Sequence, residues 1–153
     1  MAGDAGWESL IGGCVIGVYD LSSGEFESRT IGVEHFHSFM SKSSPHLDEV
    51  VAAVDKIFEK KNINPDTHLI FITNTHLMSK VREYLDARHY IWFKFKTIEP
   101  LNSSLKKAFE EHLLSIGVPK EAIKMHGKAR MNFLMSWVMA DDESEKLIKK
   151  AGI

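Results

Sequence analysis

Glutamine is missing from this 153-residue chain altogether, and cysteine occurs only once. The lone Cys14 excludes an intramolecular disulfide, and its place inside an apolar run suits a buried thiol better than a nucleophile. Scarce thermolabile amides are one thermophile tendency, although asparagine remains at Asn62, Asn64 and elsewhere. No run reaches the ~18 apolar residues of a membrane span, so no membrane partner is expected. Neither sign of charge dominates: 19 Lys and Arg stand against 21 Asp and Glu, a net charge of −2. Nucleic acid would therefore need a local basic patch, because phosphate contacts supply most non-specific affinity. There is no Gly-rich phosphate loop, Gly-x-Ser-x-Gly elbow or Cys-x-x-Cys pair, which leaves hydride, acyl and redox chemistry without support. Met1-Ala2-Gly3-Asp4-Ala5-Gly6 is small and acidic, unlike the positive start and apolar centre of a secretory signal. An intracellular, cytoplasmic setting is the resulting expectation.

What is present is an ordinary globular composition, with 44% hydrophobic and 26% charged residues. The length suits one domain with a real core. We expect an N-terminal arm over residues 1–12 and a single domain over 13–153. Within it, Cys14-Val15-Ile16-Gly17-Val18-Tyr19 reads as a buried strand ending on Asp20, and Glu25 to Ile31 reads as its hairpin partner. Val33 to Met40 alternates again, as a third strand would. Ser44-Pro45 opens a helix whose stripe of Leu47, Val50, Val51, Val54, Ile57 and Phe58 recurs every three or four residues. Leu69-Ile70-Phe71-Ile72 has the continuous apolar character of a buried parallel strand, and a helix carrying Leu77, Val81 and Leu85 follows it. Tyr90 to Ile98 predicts a strand, Asn102 or Ser103 to Ser115 a helix, and Met131 to Lys150 a final helix. The expected fold is α/β: a mixed sheet of about five strands, three antiparallel and then βαβ units, with helices packed on it.

This order of elements, with Asp20 closing the first predicted strand before Ser22-Ser23-Gly24, resembles the ribonuclease H-like superfamily. That family places carboxylates on the first strand, at the start of the first helix, at the end of the fourth strand and on the last helix. Together they hold divalent metals that activate water for phosphodiester hydrolysis. The resemblance puts Asp20 in the first place. Glu49 points away from the helix stripe, so the second place falls to His46. Thr73-Asn74-Thr75 puts Asn74 in the third, and His126-Gly127 followed by Asp141 or Asp142 matches the fourth. Asp20 and Asp141 would then be ligands for Mg²⁺ or Mn²⁺, with His46 and Asn74 lining the cleft and His126 assisting proton transfer. Two neutral groups among four imply weakened metal affinity.

The resemblance thus implies a domain that binds nucleic acid, or a partner in a nucleic-acid assembly, with metal-dependent hydrolysis weakened or lost. One alternative is an active divalent-metal nuclease using Glu49 or Asp142. Another is a non-catalytic module that self-associates or docks a protein through its last helix, where Met131, Met135 and Met139 recur every four residues. Trp92, Lys94 and Lys96 on one strand face, with Lys128 and Arg130 near His126, are candidate nucleic-acid contacts, against the plainer reading of edge-protecting lysines and a solvated loop. His35 and His37 would share a strand face and, joined by His46, make a three-histidine metal set, against the plainer reading of two strand histidines.

Overall fold

The computed structural model describes residues 1–37, 44–96 and 99–149. It contains five strands, β1 (Ala2–Ala5), β2 (Cys14–Tyr19), β3 (Phe26–Ile31), β4 (Leu69–Thr73) and β5 (Ile91–Phe95). Six helices accompany them: α1 (Pro45–Lys61), α2 (Ser79–Ala87), α3 (Leu101–Ser115), α4 (Lys120–Lys124), α5 (Gly127–Met139) and α6 (Asp142–Glu145). The sheet runs β3-β2-β1-β4-β5, with β2 antiparallel to both β1 and β3, and β1, β4 and β5 parallel. The α/β class and the mixed five-stranded sheet agree with expectation.

The identity of the first strand does not. Residues expected as an arm form β1 at the centre of the sheet, and the strand expected first is β2. Ala-Gly-Asp-Ala carries no β-branched or aromatic side chain, so nothing in its own composition favours extension. Its neighbours impose it. Ala2 pairs with Val18 and Ala5 with Val15 on one side, while Ala2 pairs with Ile72 on the other. Gly3 and Gly17 face each other in this ladder beneath α3. A Cβ on Gly17 would stand 2.7 Å from Leu105, and one on Gly3 would stand 3.2 Å from Leu101. Bare backbone at both positions lets the helix lie close on the sheet.

The two faces carry separate cores. On one, α1 and α2 bury Val50, Val54, Ile57, Val81 and Leu85 against Ile16, Ile70 and Ile72. On the other, α3, α4 and α5 bury Leu105, Phe109, Leu113, Ala122 and Leu134 against Val15. Being covered on both faces explains why β2 is almost uniformly apolar. Helix α1 starts with Pro45 in its first turn and stops at Asn62, whose left-handed φ of 53° ends the hydrogen-bond ladder.

Two further expectations change. The third predicted strand, Val33 to Met40, is a short 3-10 turn over Val33–Phe36, and residues 38–40 lie outside the described residues. The β3 ladder closes with Ile31 opposite Cys14, so the chain beyond it has no length of β2 left to pair with. The final helix is broken. Asp141 accepts hydrogen bonds from the Glu143 amide at 3.3 Å and the Ser144 hydroxyl at 3.0 Å, capping α6 and competing with helix continuation after α5. The chain then returns to the sheet through an Ile11–Ile148 bridge and a Lys149 amide bond to the Leu10 carbonyl at 2.8 Å.

Gly13 sits at φ 71° immediately before β2, where a Cβ would collide with the Ile31 carbonyl oxygen. Because that obstacle is backbone, Gly13→Ala is expected to destabilise the fold by about 2 kcal/mol or more, from left-handed strain plus overlap. Urea unfolding measures it, and a midpoint equal to wild type contradicts this account of the β1–β2 connection.

Candidate functional site

In sheets with parallel strands, the crevice beyond the carboxyl ends of the strands is the usual place for a ligand. Here β1 and β4 end side by side. Asp4, opposite Ile16 in the ladder, projects from the face covered by α1 and α2. The Thr75 hydroxyl, two residues past β4, donates to the Asp4 carboxylate. Arg82 of α2 holds that same turn, donating to the Thr73 and Thr75 carbonyls at 3.2 Å each. Burial pushes the Asp4 carboxyl above its usual range, with the Thr75 hydrogen bond and the nearby Lys149 charge opposing it.

Lys149 is only 3% exposed. Its ammonium donates to the Gly6 carbonyl and, at 3.3 Å, to the Trp7 carbonyl, and it stands 5.2 Å from the centre of the Phe36 ring. Burial lowers its pKa to about 8, while the same low-dielectric surroundings push the Cys14 thiol up to about 12. Beside them, Trp7 packs 5.7 Å from His46 and 5.6 Å from His76, and Phe36 packs 5.2 Å from His46. The His46 Nε2 is buried without a partner among the described residues, and burial first, then the His76 and Lys80 charges, lower its pKa.

Next to this group, a pocket of about 460 Å³ lies across the end of β1. The β1–β2 loop, Phe109 of α3 and the first turns of α5 enclose it, with Asp4, Trp7 and Thr75 along one side and Arg130, Met131 and Leu134 along another. Arg130 Nη2 is buried and has no hydrogen-bond partner among the described residues. Compared with known proteins, the chain matches no family model, no curated protein and no solved structure.

The residues anticipated for this cleft are divided. His46 and Asn74 do stand toward the carboxyl edge, His46 inside the aromatic cluster and Asn74 exposed in the turn after β4. Asp20 does not join them. It lies in the β2–β3 hairpin, level with the opposite end of β1. The ladder register puts four residue steps between Asp20 and Asp4, about 13 Å at the usual strand rise. There it accepts from the Ser22 amide at 2.8 Å, the Ser22 hydroxyl at 2.7 Å and the Ser23 hydroxyl at 3.0 Å. Those bonds, Ser22 foremost, lower its pKa to about 2. Its carboxylate organises a turn.

Asp141 is committed to capping α6, and Asp142 is exposed in the first turn of that helix. His126 occupies the N-cap position of α5, exposed and without a side-chain bond to the helix, and Lys128 is likewise exposed, whereas Arg130 lines the pocket. Glu49 is exposed on α1, 4.0 Å from the His35 ring. His35 and His37 share no strand face, because the 3-10 turn separates them and directs His37 to the Ile148 carbonyl at 2.7 Å. Trp92 packs against the α1–α2 core and donates its indole N–H to Asp86 at 2.7 Å, while Lys94 and Lys96 are exposed on the edge strand.

Sequence reasoning missed Asp4 and Lys149. The only local signal for Asp4 was its alternation with glycine and alanine in a segment otherwise read as an arm. Lys149 had none, because its burial depends on the chain turning back after α6. Among the described residues, no three His, Cys, Asp or Glu side chains gather as a metal-binding group. The groups that meet at the end of β1, the Asp4 carboxylate engaged by a hydroxyl, the Glu8 carboxylate on the pocket wall and one buried ammonium, fit poorly a divalent cation that requires several anionic oxygens.

The Lys149 environment has a measurable consequence. Its folded pKa of about 8 lies below the ordinary 10.5, so below pH 8 the native state carries the cost of a buried charge that the unfolded chain lacks. That cost fades as pH rises through 8 toward 10.5. Relative to Lys149→Met, the wild type should gain about 3 kcal/mol of stability between pH 7.5 and 10.5. Paired urea titrations across that range test it, and a stability difference that stays flat with pH contradicts the burial of the charge.

Proposed function

We propose that this chain is a ribonuclease H-like domain that binds nucleic acid, with metal-dependent hydrolysis lost. Three antiparallel strands, a helix and then alternating strands and helices support the family reading. With β1 as the first strand, the family's four places hold Asp4, His46, the Asn74–Thr75 turn and α5. The observation that carries the functional reading is the charge around Asp4. The family gathers carboxylates there, but this chain supplies the Lys149 ammonium, and the sequence of α5, Gly-Lys-Ala-Arg-Met-Asn-Phe-Leu-Met-Ser-Trp-Val-Met, contains no acid at all. Cations at the edge of a cleft attract phosphate and repel Mg²⁺ or Mn²⁺. A phosphodiester strand lying across the ends of β1 and β4 would meet Arg130 from α5, with the exposed Lys128 two residues earlier on the same helix.

Fluorescence anisotropy with labelled 20-nucleotide single and double strands tests the reading, alongside a gel assay for products in Mn²⁺ and Mg²⁺. The expected result is binding at 50 mM salt that weakens at least tenfold by 300 mM, with no cleavage by wild type or Asp4→Asn. Cleavage by the wild type that disappears in Asp4→Asn would establish the active nuclease instead. Absence of binding at 50 mM salt would remove the nucleic-acid reading.

A second reading, an interaction module, is favoured by one observation. On α5, Met131, Met135 and Met139 are exposed by 53%, 36% and 80% although Leu134 and Val138 of the same helix are buried. If this stripe joins two copies, sedimentation should give a dimer that Met135→Lys combined with Met139→Lys converts to monomer. A monomeric wild type at 100 μM would exclude self-association through α5.

A further inference from the structure

The pocket at the end of β1 has a lining that selects for more than negative charge. Its volume of about 460 Å³ is in the range of sites for small organic ligands, and Trp7, Phe109, Met131 and Leu134 give it apolar walls. Arg130 lines this space, and its buried Nη2 has no hydrogen-bond partner among the described residues. An unpaired buried guanidinium nitrogen is costly, and the usual means of satisfying it is an oxyanion able to take two parallel N–H bonds. The start of α5 adds to the attraction. Gly127 lines the pocket, and the helix has neither a capping side chain at His126 nor an acid in its first turn, so its amides are open to an anion.

The opposite wall limits how much negative charge can enter. Asp4 and Glu8 both line the pocket, and the Thr75 hydroxyl is already committed to Asp4. A ligand with several negative charges would face those carboxylates, whereas one with a single charge can put it on Arg130 and its apolar part against the aromatic and aliphatic wall.

We propose that this pocket receives a single nucleotide unit of a nucleic-acid strand, holding its singly charged phosphodiester on Arg130 and the α5 amino terminus and its base against the apolar wall. This rests on the nucleic-acid reading above and specifies where a strand is gripped and by what. It also assigns Arg130 a role different from Lys128, which is exposed outside the pocket.

The test uses the full chain and defined probes in calorimetric titrations: a dinucleoside monophosphate, the corresponding free nucleoside, a nucleoside triphosphate and inorganic phosphate. The dinucleoside monophosphate is expected to bind at least tenfold more tightly than each of the others. Arg130→Ala should weaken it tenfold or more, Arg130→Gln, which keeps the side-chain stem, should weaken it similarly, and Lys128→Ala should change it less than twofold. Equal binding of phosphate and dinucleotide overturns the proposal in favour of a simple anion site. Tightest binding of the triphosphate overturns the preference for single charge. If the 20-nucleotide strands bind and the dinucleotide does not, or if both folded Arg130 variants bind it like wild type, the pocket assignment fails while the nucleic-acid reading stands. If neither strand nor dinucleotide binds, both fall.

Discussion

The close seating of α3 on the Gly3–Gly17 pair holds β1 in the middle of the sheet, and the geometry of the carboxyl edge follows from it. A four-residue strand of small side chains contributes little apolar surface of its own. Its stability comes from being paired on both edges and covered on both faces. Because β1 is fixed by β2 and β4 together, Asp4 from the start of the chain and Thr75 from its middle arrive next to each other, and the β1–β2 loop is directed toward α5. The two positive-φ glycines Gly12 and Gly13 then turn the chain back so that β2 runs antiparallel to β1.

Charge at this edge is arranged by burial as much as by pairing. Lys149 is held by carbonyl dipoles and an aromatic face, with no carboxylate in direct contact among the described residues, so its ammonium keeps part of its desolvation cost. Asp4 experiences the reverse influence: burial favours its neutral form, while Thr75 and the field of Lys149 favour the charged one. The edge thus sets one buried ammonium against the Asp4 and Glu8 carboxylates. Exposed ion pairs elsewhere, such as Lys60 with Glu27 at 2.6 Å and Lys61 with Glu25 at 2.6 Å, tie α1 to the β2–β3 hairpin and contribute little to stability.

Much of the fold was legible where a period could be read. Helix α1 announces itself by its apolar stripe and by Pro45, β2 and β4 by continuous apolar runs, and α3 by the spacing of Leu105, Phe109 and Leu113. The candidate site was legible only in part. His46 and Asn74 were found because the helix stripe and the end of β4 fix their positions locally. Asp20 was misplaced because an acid ending a strand looks alike whether that strand is first or second in the sheet, and its bonds to Ser22 and Ser23 are those of a turn. The final helix was read too long because the Asp141 cap interrupts a segment with good helical propensity on both sides.

The amino-acid sequence by itself determined the class of the fold, the amphipathic helices, the hairpin and the single buried thiol, because these depend on neighbours within a few residues along the chain. Only the tertiary structure decided which segment is the central strand, which acid reaches the cleft, where Lys149 is buried and that Arg130 lines the pocket. Those outcomes depend on contacts between residues distant in the chain, such as Asp4 with Thr75 and Lys149 with Gly6. Short-range patterns of hydrophobicity carry no information about such contacts.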